Sequence, residues 1–239
     1  MLSIGKQIKG VTLFGITMGL FEAAVVIYLR ELFYPHGFSF PLHEISLDIA
    51  LVEAFRELAS LLMIISVSYL VGKRFTTCFA YFLFIFALWD IFYYIFLKVF
   101  IGWPESLLTW DILFLLPTNW VGPVISPVIV SLTMLVFASS IIYYSQKVDH
   151  IVLTTKEWLI FIAGAFIIFI SFIWDYCAYV YNNASLNEMF EQFGGDQLSD
   201  LALNYIPNSF PWIIFIIGEI ILIYGITRFR KRNKKLIKD

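Results

Sequence analysis

The feature that most constrains this chain is a series of six long apolar blocks. They lie at residues 10–30, 46–71, 75–98, 121–145, 157–181 and 210–229. A run of about 18 or more apolar residues is long enough to cross a bilayer. Because lipid cannot satisfy open backbone groups, spans of this length are helical, whereas β-barrel strands are about ten residues long and alternate in polarity. We therefore predict an all-α, polytopic integral membrane bundle of about six transmembrane helices, with no separate soluble domain.

Lysine and arginine are unevenly shared between the segments that join the blocks. If both termini are cytoplasmic, thirteen basic residues lie inside, Arg30 and Lys98 lie outside, and Arg56 lies within the second block. Cytoplasmic segments of membrane proteins carry an excess of lysine and arginine. The sequence therefore predicts a protein of the cell or inner membrane with both termini in the cytoplasm. The basic tail at 228–239 is expected to contact anionic lipid rather than nucleic acid.

Two connecting segments depart from simple loops. Residues 102–127 hold four prolines, three tryptophans and a short apolar stretch that, at about 1.5 Å per residue, would cover only half of a bilayer. The sequence predicts a broken or re-entrant segment here, with a half-helix, an interfacial helix, the first part of a kinked fourth span and an aromatic interfacial belt as alternatives. Residues 182–209 are predicted to form an outer loop with short amphipathic helices.

Charged residues inside membrane spans are costly and are the first candidates for a functional site. The candidate substrate or ion site consists of the charged residues of the spans and two neighbouring tyrosines: Glu22, Glu53, Arg56, Glu57, Asp90, Tyr93, Tyr94, Asp175 and Glu219. Counted from the outer end of each predicted span, one acid in each of five spans lies about 10–14 Å deep. This shared depth predicts a polar chamber in the outer half of the membrane.

Glu53, Arg56 and Glu57 have the i, i+3 and i+4 spacing that brings side chains to one helix face. Arg56 can pair with either neighbour, or with Glu22 or Asp90 across the bundle. A satisfied ionic network that only fixes helix packing is the alternative to a functional site.

Gly15, Gly19 and Ala23 form a stripe of small residues on the first span. Small residues four apart let two helix backbones approach closely. We expect this stripe to pack against a neighbouring helix, with a dimer contact as the alternative.

The sequence lacks the motifs of common catalytic and metal centres, such as HExxH, GxSxG, CxxC and a phosphate-binding glycine loop. His36, His43 and Glu44 share an outer segment, but nothing in the sequence fixes their geometry, so we expect no metal centre. The sequence names no cofactor. Carboxylates and tyrosines suit protons, hard cations bound through oxygen, or amines.

Three functions remain open. The layer of acids favours a small transporter or channel for protons, cations or a cationic solute. A membrane-embedded enzyme acting on a lipid or apolar substrate would use Asp90 with Glu53 or Asp175 as acid and base, and Arg56 to orient an anionic group. The lack of a complete catalytic motif favours a non-catalytic subunit or assembly factor. Expected partners are the bilayer, a proton, small cation or lipid-like substrate, and a homo-oligomer or larger membrane complex; nucleic acid is not expected.

Overall fold

The computed structural model describes residues 4–35, 37–43, 46–114, 118–148, 150–183 and 203–237. Six long helices form the bundle: α1 (Ile4–Phe33), α2 (Leu47–Val71), α3 (Phe75–Ile101), α4 (Ile125–Ser145), α5 (Thr155–Asn183) and α6 (Trp212–Leu236). An antiparallel hairpin of β1 (Trp110–Phe114) and β2 (Trp120–Pro123) lies between α3 and α4 in the chain. The predicted all-α membrane bundle is confirmed.

Five of the six helices, α1, α3, α4, α5 and α6, are long and apolar enough to cross a membrane. The remaining helix, α2, carries Asp48, Glu53, Arg56 and Glu57 in its first half. Each of the six predicted spans corresponds to one helix. The largest change is at the end of α6, which continues to Leu236, so most of the predicted basic tail is helical.

The helices form a chain of contacts in which α3 and α4 are central. Helices α1, α2 and α4 all pack against α3, while α4 also contacts α6, and α6 packs along α5. Phe137 of α4, Phe161 of α5 and Phe229 of α6 are buried where these helices meet. The rings of Phe137 and Phe161 stack with their centroids 4.1 Å apart. Helix α4 therefore has protein on two sides, α3 on one and α6 on the other.

Helix α1 approaches α3 closely because two glycines remove the side chains between them. A Cβ atom on Gly15 would lie 2.9 Å from the Cβ of Leu88, and one on Gly19 would lie 2.8 Å from the carbonyl oxygen of Trp89. Real side chains do not fit at these distances. The predicted packing of the small-residue stripe against a neighbouring helix is confirmed, and the neighbour is α3.

The predicted break at 102–127 is confirmed, but its central apolar part is a β-hairpin rather than a helix. Pairing of the two strands satisfies backbone groups that lipid could not satisfy, with Asp111 opposite Gly122. Pro123 is the last residue of β2, and both strands of this two-stranded sheet are edge strands, where proline is tolerated. The half-helix, interfacial helix and kinked-span alternatives are wrong for β1 and β2.

The hairpin runs deep along α3. Phe114, at the end of β1, stacks on Phe86 with the ring centroids 6.1 Å apart. Phe86 lies fifteen residues before the end of α3, which corresponds to about 22 Å along the helix axis. A non-helical segment therefore reaches well into the bundle, where α3, α4 and α5 cover it.

Candidate functional site

Arg56 joins α2 to α1 through two carboxylates. Its Nε donates a hydrogen bond to Oε2 of Glu53 at 2.7 Å, and its Nη1 donates to Oε2 of Glu22 on α1. All three side chains are mostly buried. The predicted pairing of Arg56 with Glu53 along the helix and with Glu22 across the bundle is confirmed. Glu57, one turn after Glu53, is half-buried on the same helix.

A second buried ion pair links α1 to the hairpin. Nη2 of Arg30 donates to Oδ1 of Asp111 at 3.2 Å, and the two residues are 8% and 2% exposed. The guanidinium lies over the ring of Trp103, 3.7 Å from its centroid, and 4.5 Å from that of Phe38. Cation–π contacts of this kind compensate for part of the lost hydration of a buried arginine.

Tyr93 and Tyr94 are adjacent on α3, and Tyr94 contacts the second of these charged groups. The hydroxyl of Tyr94 donates to Oδ2 of Asp111 at 3.3 Å, and the two tyrosine rings meet edge-on with centroids 4.8 Å apart. Tyr94 therefore contacts the Arg30–Asp111 pair directly, while the membership of the two tyrosines in an ion or substrate site stays a prediction.

Helix α4 carries no acid, yet it provides partners for two acids on other helices. The hydroxyl of Ser131 donates to Oδ2 of Asp90 on α3 at 2.8 Å. The hydroxyl of Thr133 donates to Oε2 of Glu219 on α6 at 2.7 Å. Residues two apart on an α-helix differ by about 200° around its axis, so the two pairs lie on opposite sides of α4.

Asp175 is bound by the segment that leads into α6. Its carboxylate accepts hydrogen bonds from the hydroxyl of Tyr205 at 2.8 Å and from the backbone N–H groups of Asn208 and Ser209 at 3.0 and 3.2 Å. Tyr205 is fully buried and contacts the ring of Phe40 from the segment between α1 and α2. Burial and the hydrogen bond to the Asp175 carboxylate raise the pKa of Tyr205 well above its ordinary value, so this hydroxyl remains a donor. Asp175 thus anchors the segment that leads into α6.

A third ion pair with arginine lies where the start of α5 meets the end of α6. Glu157, in the first turn of α5, is 0% exposed and accepts from Nε and Nη2 of Arg232 on α6 at 2.9 and 2.8 Å. The same carboxylate accepts from the backbone N–H of Thr154 at 2.8 Å, as in a capping box. This pair joins the start of α5 to the end of α6.

Six of the acids described above therefore fall into two groups, and Asp175, which accepts from Tyr205 and from two backbone N–H groups, belongs to neither. The arginine-paired acids contact a guanidinium: Glu22, Glu53, Asp111 and Glu157. The hydroxyl-paired acids, Asp90 and Glu219, contact only a serine or threonine hydroxyl among the hydrogen bonds and ion pairs of the described residues. A carboxylate bound to arginine has its charge balanced within the protein, whereas a hydroxyl donates a hydrogen bond without supplying a charge.

The structure brings together some of the predicted site residues and not others. Glu22, Glu53 and Arg56 are in direct contact. Asp90, Asp175 and Glu219 each have separate partners, so the single chamber inferred from their common depth stays a prediction. The pairing of Asp90 with Glu53 or Asp175 in an enzyme is likewise untested.

Sequence reasoning missed the Arg30–Asp111 pair and the two hydroxyls of α4. The distribution of basic residues places Arg30 on the outer side, and Asp111 lies between the third and fourth apolar blocks. The signal that could have found it is a lone acid inside WDILF, a short apolar stretch bounded by prolines. Serine and threonine are common in membrane helices, so nothing in the sequence distinguished Ser131 and Thr133 from other hydroxyls.

The possible metal ligands in the outer segment are only partly described. His36 and Glu44 lie outside the described residues, as do residues 184–202 of the predicted outer loop. The backbone N–H of His43 donates to the hydroxyl of Tyr34 at 3.0 Å. Within the part of the chain that the structure covers, no group of three or more His, Cys, Asp and Glu side chains is placed to hold a metal ion.

Fold and site together define the class of this protein: a polytopic α-helical membrane protein with charged and polar side chains buried inside its bundle. Comparisons with known protein families, with curated proteins and with solved structures gave no match for the chain.

Proposed function

We propose that the protein is a small membrane transporter or channel for protons, cations or a cationic solute, and that Asp90 is the carboxylate that binds the transported ion. The observation that carries the proposal is the bonding of Asp90. Its only hydrogen bond among the described residues comes from the hydroxyl of Ser131, and no ion pair there includes it.

The proposal depends on the difference between Asp90 and the arginine-paired acids. Removing a carboxylate from water costs several kcal/mol unless a partner compensates for it. Arg30 and Arg56 give that compensation permanently to the acids beside them. Asp90 lies in a membrane helix without such a partner, so a mobile cation or a proton is the natural compensation. Ionisable residues inside membrane spans are commonly ion-binding or proton-relay groups.

The re-entrant hairpin also supports transport. Non-helical backbone at membrane depth is tolerated where protein buries it or where it lines a polar path, and interrupted segments frequently form the binding sites of transporters. The hairpin carries the buried Asp111 and contacts Tyr94 of α3, one helical turn after Asp90. The uneven distribution of lysine and arginine supports cytoplasmic termini, so that the hairpin enters from the outer side.

The test is ion flux through the purified protein in liposomes that contain a trapped pH-sensitive dye. A potassium gradient with valinomycin drives protons across the membrane, and gradients of sodium or tetramethylammonium test exchange of cations for protons. We expect Asp90→Asn to lower the rate at least tenfold, because the amide keeps the shape but cannot exchange charge. The unaltered protein and an Asp48→Asn variant, changed at an exposed residue of α2, should give equal rates.

Two results would contradict the proposal. One is a rate for the unaltered protein no greater than that of protein-free liposomes under every gradient. The other is an unchanged rate in Asp90→Asn, which would show that flux does not depend on this carboxylate.

A further inference from the structure

Glu219 has the smallest exposed fraction of the acids without an arginine partner in the described part of the chain. The residue is 6% exposed, and its Oε2 accepts a hydrogen bond from Thr133 at 2.7 Å. Its Oε1 is buried and has no hydrogen-bond partner among the described residues. The proposed role of Asp90 does not use this carboxyl group.

The helices around Glu219 bring no charge near it. Helix α4 contains no charged residue. On α5, Ile168 lies against Gly218, and the nearest charged residue, Asp175, is seven residues further along α5, about 10 Å along the axis. On α6 itself, the next charged residue is Arg228, nine residues after Glu219.

These surroundings favour the neutral form of the carboxyl group. An ionised carboxylate without a charged partner costs several kcal/mol when it is buried. A protonated one leaves only an O–H without an acceptor, which costs about 1–3 kcal/mol. In the protonated form Oε2 is the carbonyl oxygen that accepts from Thr133, and Oε1 carries the proton.

We propose that Glu219 and Thr133 form a second ion site, which binds a proton, on the opposite side of α4 from Asp90 and Ser131. A metal cation fits the site less well, because hard cations take six or more oxygen ligands and the described residues offer one carboxyl and one hydroxyl. A role of this proton in transport rests on the proposed function. The binding of the proton to Glu219 does not.

Infrared spectroscopy of the purified protein in lipid tests the site directly, because a protonated carboxylic acid has a C=O stretching band separate from the bands of a carboxylate. We expect the unaltered protein and Asp90→Asn to share a band that Glu219→Gln lacks. Thr133→Val, which keeps the shape of the side chain, should retain the band at a higher frequency, because the carbonyl oxygen has lost its donor.

Spectra that are the same in the unaltered protein and in Glu219→Gln would overturn the proposal. An unchanged band frequency in Thr133→Val would also overturn it. This second comparison still tests the proposal if Glu219→Gln fails to fold.

Proton flux in the liposome assay tests the transport role separately. We expect Glu219→Gln to lower flux at least tenfold, and an unchanged rate would overturn the role of this proton in transport. If the unaltered protein itself gives no flux, the proposed function fails, while the infrared result still decides whether Glu219 binds a proton.

Discussion

Asp111 and Asp90 are both in contact with residues of neighbouring elements of the bundle, yet their partners differ in kind. Asp111 is held by the guanidinium of Arg30 and the hydroxyl of Tyr94. Asp90 is held by the hydroxyl of Ser131. The first arrangement balances a charge and joins the hairpin to α1. The second supplies no charge to balance that of the acid, and the proposed ion site at Asp90 rests on this difference.

The same contrast separates the arginine-paired acids from the hydroxyl-paired acids in the rest of the chain. Arg232 on α6 joins Glu157 on α5 through two hydrogen bonds. Arg56 on α2 joins Glu22 on α1 through one hydrogen bond, and its second goes to Glu53 of its own helix. Breaking a buried pair by removing one partner is strongly destabilising, because the remaining charge is uncompensated. We therefore infer that the arginine-paired acids stabilise the bundle and that Asp90 and Glu219 are available for ion binding.

The largest effect on stability is expected for Arg30→Met. The change leaves Asp111, which is 2% exposed, without its cation, and it also removes the cation–π contacts with Trp103 and Phe38. The free energy of unfolding should fall by about 3–5 kcal/mol. Thermal unfolding in detergent, followed by circular dichroism, measures the loss.

The double variant Arg30→Met with Asp111→Asn is the control for this prediction. It removes the uncompensated charge while keeping a polar group for Tyr94, so it should recover a large part of the lost stability. A double variant as unstable as Arg30→Met alone would mean that packing of the arginine, and not its charge, stabilises the hairpin.

A smaller loss is expected for Ser131→Ala. It removes the hydroxyl that Asp90 accepts from, and an unsatisfied buried acceptor costs about 1–3 kcal/mol. The matched control is Ser171→Ala, because Ser171 is also buried but donates only to the carbonyl of Ile168 in its own helix. If both variants lose the same stability, Ser131 has no special relation to Asp90.

The fold could be predicted from the sequence because hydrophobic length is a strong and local signal. Each long apolar block became one helix, and the glycine stripe of α1 packs on α3 as expected. The hairpin could not be predicted, since WDILF is too short to span a membrane. A stretch of this length is equally compatible with a strand and with one or two turns of helix. Its strand form depends on pairing with β2 and on cover from α3, α4 and α5, and none of these contacts is visible in a local pattern.

The candidate site could be predicted only as a set of residue types. The acids inside the spans were visible, and the pairing of Arg56 with Glu53 follows from helical spacing. The partners of Asp90, Asp175 and Glu219 come from other helices and from the segment before α6, so they depend on how the helices are arranged. Shared depth along the chain does not reveal which acids meet.

The smallest effect on stability, and the sharpest test of the contrast, is expected for Asp90→Asn. An amide can still accept from Ser131, and the change removes a charge that no described side chain balances. Because the proposed proton or cation already compensates for that charge, the free energy of unfolding should change by less than about 1 kcal/mol, in either direction, while ion flux is lost. A fall as large as that of Arg30→Met would mean that Asp90 is part of the structural network. In that case the distinction between arginine-paired and hydroxyl-paired acids would no longer identify the ion site.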